Sequence, residues 1–120
     1  YYRDNFYAES SAITALKVLQ MLCESGKSFS ELLKPFAKYA TAEELSLEVE
    51  NKDEIIEKIK QHYKKLGAKI YEIDGVTIEF ADWWFNVRKS GTEPLLRVNL
   101  EADNKKLMGE KVKEVKDLIV

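Results

Sequence analysis

A single cysteine in 120 residues excludes an internal disulfide framework. Cys23 lies in an apolar, helix-spaced run, which reads as core filling in a reduced, cytosolic setting rather than as a nucleophile. Histidine is almost missing too. His62 is the only one; it stands beside Tyr63 among lysines, with no second histidine and no nearby serine or cysteine constellation. Neither a histidine metal site nor a catalytic triad is expected from it. A basic excess is also absent. The 19 Lys and Arg against 21 Asp and Glu leave a net charge of −2, and a general nucleic-acid binder needs a clustered positive surplus. There is no signal peptide, no apolar run long enough to span a membrane and no Asn-x-Ser/Thr acceptor. The chain opens at Tyr1-Tyr2-Arg3-Asp4 without Met, which reads as an excised fragment.

What is present is the patterning of a core. Hydrophobic residues make up 45%, enough for one ordinary domain or a small domain with a helical appendage. From about Glu9 to Ser25, the residues Ala12, Ile13, Leu16, Leu19, Leu22 and Cys23 recur at helical spacing, and Gly26 is a natural stop. Ser28 and Glu31 read as a capping box for a short second helix through Leu32 and Leu33, bounded by Pro35. A hinge is expected around Lys38 to Ala42, dividing residues 1–38 from 39–120. Leu45, Leu47 and Val49 then alternate with Glu44, Ser46, Glu48 and Glu50 as a half-buried strand. The acidic run of Glu43, Glu44, Glu48 and Glu50 is its wet face, not a metal site. Asn51 with Glu54 signals a capping box for a helix whose apolar stripe is Ile55, Ile56, Ile59, Tyr63 and Leu66, ended by Gly67.

Asp74-Gly75 is the strongest hairpin signal. A two-residue turn there pairs Ile73 with Val76 and Tyr71 with Ile78, sending all four to one face with Phe80. Trp83, Phe85 and Val87 alternate with Trp84, Asn86 and Arg88. Leu96, Val98 and Leu100 alternate with Leu95, Arg97, Asn99 and Glu101. A last helix begins near Asp103 or Asn104 and buries Met108, Val112, Val115 and Ile119. The order predicts an α+β fold: a mostly antiparallel four- to five-stranded sheet with two helices on one face, preceded by an N-terminal helical segment.

Between the last two strands runs Arg88-Lys89-Ser90-Gly91-Thr92-Glu93-Pro94, which concentrates anion-binding groups. Arg88 offers a planar fork of donors that matches phosphate oxygens. Ser90 and Thr92 add hydroxyls. Gly91 permits a positive φ and a close approach by an anion. Successive backbone N–H groups in such a bend can form an anion-binding concavity. Lys89 either adds long-range attraction or is an ordinary solvated lysine. Glu93 should turn away and pair with a cation such as Arg97. Arg97 reads as structural, paired with Glu93 or Glu101. Trp83 and Trp84 read as packing residues rather than a stacking platform.

The seven-residue segment resembles the phosphate-binding loop of the α-D-phosphohexomutase family, whose pattern there is Arg-x-Ser-(Gly or Asn)-Thr-Glu-Pro. Asp82, Trp84 and Val87 before it, and Leu96-Arg97-Val98 with Glu101-Ala102 after it, resemble the family's C-terminal domain. The likeness extends back through Gly26-Lys27-Ser28 to Tyr1. Lys89 departs from the proline of many relatives, which removes some loop stiffness. The family's tryptophan at the position of Trp84 implies packing near the loop.

The resemblance implies that Arg88, Ser90, Gly91 and Thr92 hold the phosphate of the sugar end that is not reacting, with Lys89 as a secondary contact. It implies residues 1–38 as the helical end of the preceding third domain and 39–120 as the fourth domain. It also implies a cytoplasmic isomerase that moves a phosphoryl group between C1 and C6 of a hexose phosphate through a phosphoserine. Mg²⁺ is its cofactor and a hexose 1,6-bisphosphate its intermediate. The catalytic serine and metal loop lie upstream of this region, so no catalytic or metal residue is assigned here and the fragment alone is expected to be inactive. Its implied partners are the phosphosugar and the remaining domains, with no nucleic acid and no membrane. A phosphoglucosamine mutase fragment and a stand-alone ligand-binding or regulatory α+β module remain the alternatives. The sugar-reading loop is missing, so the choice among glucose, mannose and glucosamine is open.

Overall fold

Period-two alternation becomes strand throughout the second half of the computed structural model, which describes residues 1–120. The chain divides into two compact units, Tyr1–Lys38 and Tyr39–Val120. The first holds a short 3-10 turn, Arg3–Asn5, and helices α1 (Ser11–Ser25) and α2 (Phe29–Leu33). Ser10 caps α1 through the Ile13 N–H, and Gly26 ends it in the left-handed region at φ 64°. The Ser28–Glu31 capping box forms both of its bonds. Neither helix buries a residue, and Leu16 and Leu19 stay exposed. Cys23 is likewise exposed, not core filling, because this unit has no interior of its own to receive it.

The second unit is a single antiparallel sheet covered on one face by two helices. Its elements are β1 (Ala40–Thr41), β2 (Leu45–Glu48), α3 (Lys52–Lys65), β3 (Lys69–Tyr71), β4 (Val76–Glu79), β5 (Trp83–Lys89), β6 (Leu95–Ala102) and α4 (Lys105–Ile119). The order across the sheet is β1-β6-β5-β4-β3, with β2 also on β6. The six strands therefore fill five positions, since β1 and β2 lie end to end along one edge. Thr41 pairs with Glu101 and Leu45 with Val98, so residues 42–44 oppose only 99–100. This is a bulge of one extra residue, and it delivers Glu44. Two residues of the expected hinge at Lys38 to Ala42 are strand. Ala40 and Thr41 are pinned in the sheet, and the Ala42 N–H donates to the Leu100 carbonyl.

The hairpin register differs from the expected one. Ile70 pairs with Ile78 and Tyr71 with Thr77, which leaves Ile73, Asp74 and Gly75 as a three-residue tip. Gly75 takes the left-handed residue of that tip, φ 73°. A slip of one residue exchanges the faces of β3. Ile70 packs on the core, while Tyr71 and Ile73 face solvent. The core itself combines Leu47, Val76, Ile78, Phe85, Val87, Leu96, Val98 and Leu100 from the sheet with Ile59 and Tyr63 of α3 and Val115 and Ile119 of α4. Asn104 caps α4 through the Leu107 N–H at 2.9 Å. Asn51 begins α3 without a side-chain cap, contrary to the expected box. No helix is long and apolar enough to cross a membrane.

Tyr63 anchors the helix–sheet interface. Its ring meets Phe85 edge-on at 5.1 Å, beside a Phe80–Trp83 stack at 5.0 Å. Its hydroxyl donates to Glu114 Oε1 at 3.0 Å. Burial raises the phenol above its ordinary 10.0, and the hydrogen bond and charge of Glu114 raise it further. The folded chain thus keeps a proton that the unfolded chain releases near pH ~10. The resulting stability is intact below that pH and is lost as pH rises toward the folded value. Urea unfolding of the wild type should weaken between about pH 9 and 11, and Tyr63→Phe should weaken markedly less over the same range; equal losses in the two proteins would remove Tyr63 as a cause.

Candidate functional site

Arg88 is the next-to-last residue of β5, and Arg97 stands directly opposite it on β6. Their neighbours Val87 and Val98 enter the core, so alternation projects both arginines from the face that the helices leave open. Like charges directly opposed repel. The fold relieves this with Glu44, whose Oε2 accepts from Arg88 Nη2 and Asn99 Nδ2 and whose Oε1 accepts from Arg97 Nη1, each at 3.4 Å. The remaining terminal nitrogens find Asp74, 3.7 Å from Arg88, and Glu93, 3.5 Å from Arg97. The expected Glu93–Arg97 pair is therefore present. The Nε atoms of both arginines are buried without an acceptor.

The bend itself is braced. The Ser90 N–H donates to the Leu95 carbonyl at 3.0 Å and the Glu93 N–H to Ser90 Oγ at 3.3 Å. Lys52, the first residue of α3, donates to the Ser90 and Glu93 carbonyls at 3.3 and 2.9 Å. Lys52 thereby ties both ends of the bend to the start of α3. Lys89 is neither a free cation nor simply solvated, for it pairs with Asp53. The N–H groups of Gly91 and Thr92 donate to nothing in the chain. Gly91 does not use the positive φ open to glycine. Its missing side chain instead leaves open space, with no atom within 4 Å of where a Cβ would stand. Asp74, Arg88, Lys89, Ser90, Gly91, Thr92 and Arg97 line one open cleft of about 250 Å³.

Arg88, Lys89, Ser90, Gly91 and Thr92 line one cleft with Arg97, and Glu44 and Lys52 bond to that set; sequence reasoning assigned Arg97, Glu44 and Lys52 elsewhere or passed over them. For Arg97 a signal existed: it occupies the same strand face as Arg88. For Glu44 none existed, because its position depends on the bulge. Trp84 does not pack near the bend. It is the second residue of β5, pairs across to Glu101 and Glu79, and lines a separate cleft with Tyr39 and Asp82. Four residues of strand separate it from Arg88, about 13 Å. The roomier depression along α3 beside His62, about 650 Å³, sets Lys58 and Lys65 among Asp53, Glu54 and Glu57 and holds no arginine. No group of three or more His, Cys, Asp or Glu side chains could hold a metal ion. The residues present do not fit a Mg²⁺ site.

Residues 44–118 match the family model described as phosphoglucomutase/phosphomannomutase, C-terminal domain. The chain is 45% identical over 119 residues to a phosphomannomutase of Methanocaldococcus jannaschii, covering 99% of this chain and 26% of that protein. It is 33% identical over 103 residues to a phosphomannomutase of Escherichia coli, covering 85% and 23%. A solved phosphoglucomutase/phosphomannomutase family protein from Burkholderia thailandensis shares the fold at a TM-score of 0.65 and 24% identity, over 88% of this chain and 22% of that one. The chain spans about a quarter of the length of these relatives. It belongs to the phosphoglucomutase/phosphomannomutase family and carries that family's C-terminal domain.

Proposed function

We propose that this chain is the part of a phosphohexomutase that grips the phosphate at the sugar end not undergoing reaction. Arg88, Ser90, Gly91 and Thr92 form the grip. The observation that carries this reading is a pair of unspent amides, Gly91 and Thr92, sharing one cleft with a pair of arginines. Phosphate oxygens accept from such amides and from a guanidinium fork together. The ion pairs that engage the arginines in the free chain are partly exposed and contribute ~0–1 kcal/mol each. A dianion forming several charge-assisted bonds of ~1.5–3 kcal/mol displaces them.

In the longer protein the reaction is phosphoryl transfer between C1 and C6 of a hexose phosphate; that the relatives are named phosphomannomutases supports a mutase of this kind. Mg²⁺ would supply charge neutralisation there, held by residues other than these 120. These 120 residues contribute alignment: a fixed distal phosphate uses remote binding energy to orient the reacting end. Alone they are inactive. Residues 1–38 are the helical end of the preceding domain, in keeping with the exposed Leu16, Leu19 and Met21 of α1. The short segment before Ala40 is the hinge on which the fourth domain closes over the reacting centre.

Calorimetric titration with glucose 1-phosphate, mannose 1-phosphate, inorganic phosphate and unphosphorylated glucose tests this. The three phosphates should bind with similar Kd on the order of millimolar, ~4 kcal/mol, and glucose should not bind. Equal binding of glucose, or no binding of any phosphate, would contradict the reading.

A further inference from the structure

Glu44 plays no part in the grip just described, yet its carboxylate holds the centre of the arginine pair. We propose that Glu44 is the internal counter-ion that phosphate must displace, so that it sets how weakly the clamp holds its ligand. This rests on the phosphate reading above and adds one residue to it. Glu44 engages Arg88 Nη2 and Arg97 Nη1, the same kind of terminal donor that an incoming phosphate requires. Its side chain is 33% exposed, against 53% for Glu93 and 82% for Asp74. Of the three carboxylates on the arginines it is therefore the least screened by water.

The Asn99 side-chain amide also donates to Glu44 Oε2, which holds the carboxylate in place beside the arginines. Held in this way, both arginines leave a buried Nε–H without an acceptor, so the Glu44-bound arrangement is not their best-satisfied one. Exchange of Glu44 for phosphate oxygens leaves both guanidinia to serve the anion. A dianion replaces the carboxylate, whereas a monoanion such as chloride gains nothing by the exchange.

The test is a titration of the 120-residue chain with inorganic phosphate, read from the amide signals of Gly91 and Thr92. Glu44→Gln keeps the shape and removes the charge; it should tighten phosphate binding roughly fivefold or more, as expected for removing one unit charge a few ångströms from a dianion. Glu43→Gln makes the same charge change next door, without arginine contacts, and should change Kd less than about twofold. Glu44→Asp, with the charge kept and the reach shortened, should fall between wild type and Glu44→Gln, and serves if Glu44→Gln is poorly folded. Phosphate binding by wild type that is unchanged or weakened in both Glu44 variants overturns the counter-ion role and leaves the grip standing. No shift at Gly91 and Thr92 in any of the proteins overturns the grip, and the counter-ion role with it.

Discussion

Arg88→Ala should lose phosphate binding while keeping the fold. Arg88 is the one side chain of the bend that pairs full positive charge with a bidentate donor geometry, and it borders two adjoining clefts. Removing charge-assisted hydrogen bonds worth ~1.5–3 kcal/mol weakens binding roughly 10- to 150-fold. From a millimolar start this takes phosphate affinity out of the measurable range. Stability should move less. The Arg88 side chain is 39% exposed and its two pairs, with Glu44 and Asp74, are long, so their loss together costs at most ~2 kcal/mol. Arg88→Lys separates charge from shape. It retains the cation and loses the fork, so it should bind more weakly than wild type and better than alanine. Calorimetry for affinity and thermal unfolding for stability read the two effects separately. An alanine variant that binds phosphate like wild type would contradict the assignment. So would one that unfolds in step with its loss of binding.

Gly75→Ala should be the most damaging single-methyl change in the second unit. Gly75 sits at φ 73°, and an added Cβ would collide with the Val87 carbonyl and stand 2.8 and 2.9 Å from Cβ and Cα of Arg88. A left-handed alanine costs ~1–2 kcal/mol and enforced overpacking a further ~1–3. The expected loss is thus ~2–5 kcal/mol, to be read from urea unfolding. The clash falls on Arg88 itself, so its relief displaces the residue that grips the anion. Phosphate binding should fall along with stability for that reason. By contrast, Gly91→Ala has open space and no left-handed φ to strain it, and should leave the fold unchanged. Gly75→Ala at wild-type stability would mean that the hairpin does not press on β5 in the manner described.

The sheet and its two helices were legible because strong alternation in Trp83–Val87 and Leu95–Leu100 leaves one arrangement that buries Phe85, Val87, Leu96 and Val98 together. The bend was legible because its donors are contiguous in sequence. The misreadings share a cause: each turned on a displacement of one residue, or on a contact absent from local sequence. Asp74-Gly75 announces a hairpin but not whether its loop has two residues or three, and that choice sends Tyr71 and Ile73 outward. The bulge at 42–44 is invisible in an acidic run that reads as a wet strand face, yet it brings Glu44 onto Arg88 and Arg97. Lys52 is an ordinary helix-start lysine until the sheet carries Ser90 and Glu93 to it. Cys23 looked buried because helical spacing reveals which residues share a stripe, not whether anything covers it.

The most direct measurement is amide chemical-shift mapping of the chain during titration with a hexose 1-phosphate. Saturable shifts concentrated at Ser90, Gly91 and Thr92, with the Arg88 side-chain signal moving alongside, are the expected result. Shifts centred on the α3 depression near His62 or on the Trp84 cleft, with Gly91 and Thr92 unmoved, would contradict it.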